Sequence, residues 1–207
     1  MSRTSPPGRR LFVQSEQWFH RAHAALLGAL PCRRGCSRCC IGPFAITILD
    51  VAELRRGLPT LPGQTRQDIE SRARAQIAAF ESAYPRLAAT PFLDAWPDQE
   101  IDRLAERFAD LPCPALDADG SCRIYPFRPL ACRTMGIPVE ADDLVHGACE
   151  VQSAIPLIRP SRTLRDEERR LAAQEAIDIE ALRADSPESG EELLLAHGVL
   201  AACETIP

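Results

Sequence analysis

The sequence predicts a mostly α fold, a helical domain interrupted by irregular cysteine-bearing loops. Two observations predict it. Apolar residues recur at helical spacing along most of the chain, as in Ile69, Ala73, Ile77, Phe80 and Tyr84. The cysteine-bearing stretch from Cys113 to Cys149 instead carries turn residues and prolines and reads as loop-rich backbone with at most short strands.

In chain order, a first helix is expected from about Ser15 to Leu30. Trp18, Phe19, Ala22, Ala25, Leu26 and Ala29 form one broad face, and Pro31 ends it. Ile41 to Leu49 reads as short and extended. Asp50 with Glu53 three residues on reads as a capping box that opens a short helix, closed by Gly57. Thr65 with Asp68 opens the next helix, which carries the stripe above. Residues 85–97 hold Pro85, Pro91 and Pro97 and read as a connection. Ile101, Leu104, Phe108 and Leu111 place a helix over Asp98 to Leu111. The second cysteine segment holds the turn Asp117-Ala118-Asp119-Gly120 and prolines 114, 126, 129 and 138. A charged helix follows from Thr163 to about Ala184, with Leu164, Leu171, Ile179 and Leu182 along one side. Ser189 with Glu192 reads as the capping box of a last helix through Cys203. Residues 1–160 are expected to form the cysteine-bearing domain, and 161–207 a helical extension packed on it.

The length of 207 residues suits one domain, or one with an appendage. The net charge of −5 implies no strongly charged partner. All 24 cationic side chains are arginine, so no lysine is present as a Schiff-base former or general base. The apolar run Leu193 to Cys203 contains His197 and Gly198 and is far short of the ~20 residues of a membrane span. Arg9-Arg10-Leu11-Phe12 is followed by Glu16, His20, Arg21 and His23, which an export signal would exclude. The expectation is a cytoplasmic protein whose nine cysteines are reduced thiols rather than disulfides.

The cysteines carry the chemistry. Cys32, Cys36, Cys39 and Cys40 fall within nine residues, and Cys113, Cys122, Cys132 and Cys149 follow at wider intervals. Closely spaced thiolates converge on one ion when the backbone turns between them. Zinc takes such ligands tetrahedrally, iron–sulfur clusters use four of them, and soft sulfur selects these over magnesium or calcium. These eight cysteines are the candidate metal ligands, and Cys203 is read as a core residue or free thiol. Arg33, Arg34 and Arg38 lie among the first group, with Arg123, Arg128 and Arg133 among the second. Guanidiniums there offset thiolate charge and lower thiol pKa. His20 and His23 read as ordinary helix histidines, and His146 as the best spare ligand.

The segment Cys113-Pro114-Ala-Leu116-Asp-Ala-Asp-Gly120-Ser-Cys122-Arg-Ile124-Tyr125-Pro-Phe-Arg128-Pro129-Leu-Ala-Cys132-Arg133, with Cys32-x3-Cys36-x2-Cys39-Cys40 upstream, resembles the YkgJ-type cysteine-cluster family. The resemblance spans about residues 32–149. It implies a zinc- or iron-chelating protein of unassigned cellular role, and it leaves the reaction, if any, open. A similar motif in flagellin lysine methylases, associated with an iron–sulfur cluster and S-adenosylmethionine, implies the alternative of an iron–sulfur-dependent enzyme such as a protein methyltransferase. This chain is much shorter than those enzymes. Among the matching residues, Gly120 lets the chain turn between Cys113 and Cys122, and Pro114 and Pro129 stiffen the loops. Tyr125 is expected in the core with its hydroxyl bonded. Arg128 and Arg133 are expected to bond to cysteine sulfur or nearby carbonyls around the cofactor.

Three function classes follow. A zinc or iron (or iron–sulfur) binder needs only the thiols. A radical enzyme would share the spacing Cys32-x3-Cys36-x2-Cys39, but would place it after the first strand of a barrel, whereas here it follows a helix. A nucleic-acid binder would need a basic face that this acidic chain lacks. The expected partner is a metal ion, with no nucleic acid and no membrane; nothing in the sequence points to a protein partner.

Overall fold

The computed structural model describes residues 8–26, 36–137, 139–141, 144–146, 160–185 and 190–204. Among them are the helices α1 (Arg9–Ala25), α2 (Ile48–Gly57), α3 (Gly63–Ala83), α4 (Arg86–Ala89), α5 (Asp98–Arg107), α6 (Leu130–Thr134), α7 (Arg162–Asp185) and α8 (Leu195–Cys203). The strands are only three residues each: β1 (Ala45–Thr47), β2 (Val139–Ala141), β3 (Leu144–His146) and β4 (Glu192–Leu194). The mostly α expectation holds, with the described cysteines in loops, in short turns or in the short helices α6 and α8.

The core is built by α2, α3 and α8. Ile69, Ala73, Ile77 and Phe80 of α3 are buried as the helical stripe requires. They meet Ala196, Val199 and Ala202 of α8 and Leu54 of α2. Gly198 and Gly57 permit this closeness. A methyl group on Gly198 would overlap Ile46, and one on Gly57 would overlap the Phe127 ring. His197 is buried in α8 with neither ring nitrogen hydrogen-bonded, and burial lowers its pKa to about 4. The imidazole is therefore neutral, stacked toward Phe80.

A second layer joins α1 to α7. Leu11 and Phe12 of α1 pack with Leu49, Leu130 and Ile179. Trp18 is fully buried with Ala22, Ile137 and Leu164, and its indole Nε1 donates to the Leu164 carbonyl at 2.9 Å. Both the ring's area and its one polar atom are thus satisfied.

Several boundaries differ from the sequence reading. The first helix occupies Arg9–Ala25. Residues 27–35, where the reading carried it on to Leu30, lie outside the described residues. The box at α2 is made by Thr47 and Asp50, not by Asp50 and Glu53. Asp50 still sits at a capping position, but as the third residue inside the helix. Glu192 does not cap α8: Glu192–Leu194 pairs antiparallel with β1, and α8 begins only at Leu195. Leu193 and Leu194 are both nearly fully buried, so pairing with β1 outweighs the local signal. Ser189 lies outside the described residues.

Glu175 of α7 faces like charge. Its carboxyl is pushed up to about 7, first by burial and then by Asp50, Glu192 and Glu168. Such a group binds protons more tightly in the folded state, so its contribution is present below its ordinary 4.5 and is lost as pH climbs through about 7. Glu175→Gln is expected to flatten the fall in stability between pH 5 and pH 8. Urea unfolding at the two pH values should show a difference of order 1–2 kcal/mol relative to wild type, after allowance for solvent screening. An unchanged pH slope would mean that Glu175 is charged at no cost.

Candidate metal centre

The two cysteine segments are pinned together through the main chain. Arg38–Cys40 forms one 3-10 turn, closed by Cys40 N–H donating to the Ser37 carbonyl at 2.9 Å. The chain then runs antiparallel to residues 111–113. Gly42 N–H donates to the Leu111 carbonyl and Cys113 N–H to the Cys40 carbonyl, both at 2.7 Å, around a bridge between Ile41 and Pro112. Gly42 has φ 90°, a conformation suited to glycine.

The second segment is a folded loop rather than an open one. Leu116 bridges Cys122 across a turn in which Gly120 has φ 82°. Asp117 N–H donates to the Ser121 carbonyl, and the Asp119 carboxylate accepts from Ser121 N–H, both at 2.8 Å. Helix α3 braces the loop: Arg72 donates to the Leu116 carbonyl and Gln76 to the Pro112 carbonyl, each at 2.7 Å. Arg123 pairs with Asp117 at 2.7 Å and Asp68 at 3.4 Å, so it fastens the loop instead of facing sulfur. Asp50, fully buried, accepts from Leu130 N–H at 2.8 Å and from Thr47 N–H at 3.0 Å. One carboxylate thereby ties the start of α2 to the start of α6, which carries Cys132. Burial raises Asp50 to about 6, against the pull of those hydrogen bonds.

Five thiols from both segments act on one another. The adjacent thiols of Cys39 and Cys40 compete for one proton: that interaction is the first cause lowering Cys39 to about 7 and raising Cys40, to which burial adds. Burial raises Cys113 to about 12 and raises Cys122, and for both a neighbouring thiol adds to the effect. Cys132 is raised well above its ordinary value by burial, then by Cys113, Cys122, Asp50 and Cys39. The described cysteines are all free thiols. Among the described residues no group of three or more thiol, imidazole or carboxylate donors is arranged to hold one ion, so the thiols are neighbours without forming a closed cage. The donor chemistry nevertheless fits a soft metal: buried, mutually repelling thiols ionise together only when a cation stands among them.

Cys36 precedes the 3-10 turn by two residues. Cys32, Cys149, Arg33 and Arg34 lie outside the described residues, and His146 ends β3. Cys203 is apart, at the end of α8, where Glu70, Glu204, Arg66 and Arg74 are the charged groups acting on it.

The arginines divide. Arg38 is exposed. Arg128 and Arg133 are buried at 5% and 4% exposure. Arg133 donates to the carbonyls of Arg128 at 3.0 Å and Pro126 at 3.1 Å, and to Glu16 at 2.6 Å. Arg128 bonds to both oxygens of Glu16 at 3.2 Å and stacks on the Tyr125 ring at 3.9 Å. Tyr125 is therefore not a core residue as expected: it is 48% exposed, serving as a lid on Arg128. Glu16 and Asp50 were not singled out from the sequence as site residues. Glu16 has a local partner in His20, but the arginines that make it part of the site lie more than a hundred residues away.

No helix of the described residues is long and apolar enough to cross a membrane. No curated protein and no solved structure matches the chain. A family model does match, over residues 31–150, under the description "putative zinc- or iron-chelating domain". That span covers more than half of the chain and contains both cysteine segments, and the chain belongs to this CxxCxxCC family.

Proposed function

We propose that this protein binds zinc or iron at a single centre shared by its two cysteine segments, in a reducing compartment such as the cytoplasm. The observation that supports it is the mutual influence of Cys39, Cys40, Cys113, Cys122 and Cys132 across a main-chain bridge between the segments. Cys36, Cys32 and Cys149 complete the proposed donor set. When bound, the ion supplies the positive charge that lets these thiols ionise together. The chain's own contribution is to hold the sulfurs close, bury them and place the Arg128 guanidinium beside them. All-thiol donors suit zinc and an iron–sulfur cluster alike, so the role is read as chelation and not as a reaction.

Anaerobic purification followed by metal analysis, visible absorption and thiol alkylation tests this. The expected result is stoichiometric zinc or iron, with thiols that alkylate once the metal is chelated away. Iron with labile sulfide and a brown colour would move the reading to a cluster and to the enzyme alternative. A metal-free preparation that takes up neither ion, or one with the eight cysteines paired as disulfides, would overturn it.

A further inference from the structure

We propose that Arg128 is a positioning residue of the metal centre, supplying its Nε–H to a coordinating sulfur of Cys39 or Cys122, and that Glu16 of α1 aims it. This rests on the metal-binding reading above. The two buried arginines look equivalent in the sequence, yet the structure separates them. Arg133 bonds through all three guanidinium nitrogens, to two carbonyls and to Glu16. Its role is to hold the turn at Pro126 and Arg128. The Arg128 guanidinium reaches Glu16 through one nitrogen only, and its Nε is buried without any hydrogen-bond partner.

A buried N–H left unpaired is costly and rare, and it calls for an acceptor. The surroundings of the guanidinium point to a nearby sulfur as that acceptor. The Arg128 charge acts on Cys39 and Cys122, one thiol from each segment. The guanidinium is also held in one plane, with Tyr125 at 3.9 Å, Phe19 at 5.8 Å and Glu16 fixing its far edge. A thiolate is a better acceptor than a thiol, so the donor finds its partner when the sulfur coordinates metal. Glu16 lies outside the residues matched by the family model, so α1 would complete a centre whose sulfurs come from elsewhere.

The test is Co(II) and Zn(II) binding to the reduced full chain and to Arg128→Gln, Arg128→Lys and Arg133→Lys. Readouts are the sulfur-to-cobalt charge-transfer band, the pH of half-release of metal and urea unfolding of the metal-free protein. Arg128→Gln is expected to bind metal about 10- to 100-fold more weakly. Its charge-transfer band should shift and its release pH should rise, by more than its loss of metal-free stability accounts for. Should Arg128→Gln not fold, Arg128→Lys decides the matter. It keeps the pair with Glu16 but lacks a planar Nε donor, so its band should also shift. Arg133→Lys should lower metal-free stability and leave the band in place. Wild-type affinity, band and release pH in both Arg128 variants would overturn the inference. So would an affinity loss that merely tracks lost folding, with the band unmoved. Failure of wild type to bind either ion would instead fall on the metal-binding reading itself.

Discussion

Replacing Cys39 or Cys132 alone with serine is expected to remove most of the bound metal, not half of it. Cys39 lies in the first segment, on a 3-10 turn, and Cys132 in the second, on α6. Cys39 pushes up both Cys113 and Cys132, and Cys113 pushes up Cys132, so neither segment is electrostatically separate. Two independent four-cysteine sites would require each segment to gather its own donors. The hydrogen bond between Cys113 and Cys40 opposes that, because it places the first thiol of the second segment against the last of the first. A shared centre also fastens the segments on either side of α2, α3 and α5. Metal binding then becomes folding free energy, on the order of 10 kcal/mol for a structural zinc. Metal-to-protein ratio after gel filtration, with thermal unfolding of the same sample, checks both parts. Retention of half the metal in each variant, with the other half tightly held, would establish two sites.

Trp18→Ala is expected to cost about 3–5 kcal/mol, the usual range for deleting a fully buried large aromatic side chain. Trp18 fills the contact between α1 and α7 and donates to the Leu164 carbonyl, which the substitution leaves without that bond. Trp18→Phe separates the two losses. It keeps most of the ring and forfeits the hydrogen bond, for roughly 1–2 kcal/mol. Chemical denaturation of the metal-free protein measures both. An alanine variant within about 1 kcal/mol of wild type would mean that α1 is held by something other than this contact. Because α1 also carries Glu16, the alanine variant should weaken metal binding as well.

The helices were legible where one face alone meets the core. The stripe on α3 names its buried residues correctly because each of Ile69, Ala73, Ile77 and Phe80 packs inward at helical spacing. Ends were less legible, since competing caps look alike. Thr47 and Asp50 satisfy the same pattern as Asp50 and Glu53, and only the fold decides which serine, threonine or aspartate lies outside the helix. At Glu192 the local signal gave the wrong element, because pairing with β1 is a contact between residues far apart in sequence. The five thiols that influence one another, Cys39, Cys40, Cys113, Cys122 and Cys132, are among those the sequence spacing singles out. Their electrostatic setting was only half legible. Arg128 and Arg133 stood beside cysteines in the sequence, but the exposure of Tyr125 and the diversion of Arg123 to two aspartates depend on how the loop folds.

The bridge between residues 40–42 and 111–113 has an evolutionary corollary. Its bonds run from amide to carbonyl, so they are indifferent to most side chains. Substitutions at Ile41, Leu111 or Pro112 would leave the two cysteine loops in register, provided position 42 keeps a residue that tolerates φ 90°. The flanking surface is therefore free to diverge while the sulfurs remain opposed. Relatives that share this frame can present quite different exteriors around the same interior, and comparison by surface residues would separate proteins that comparison by frame would unite.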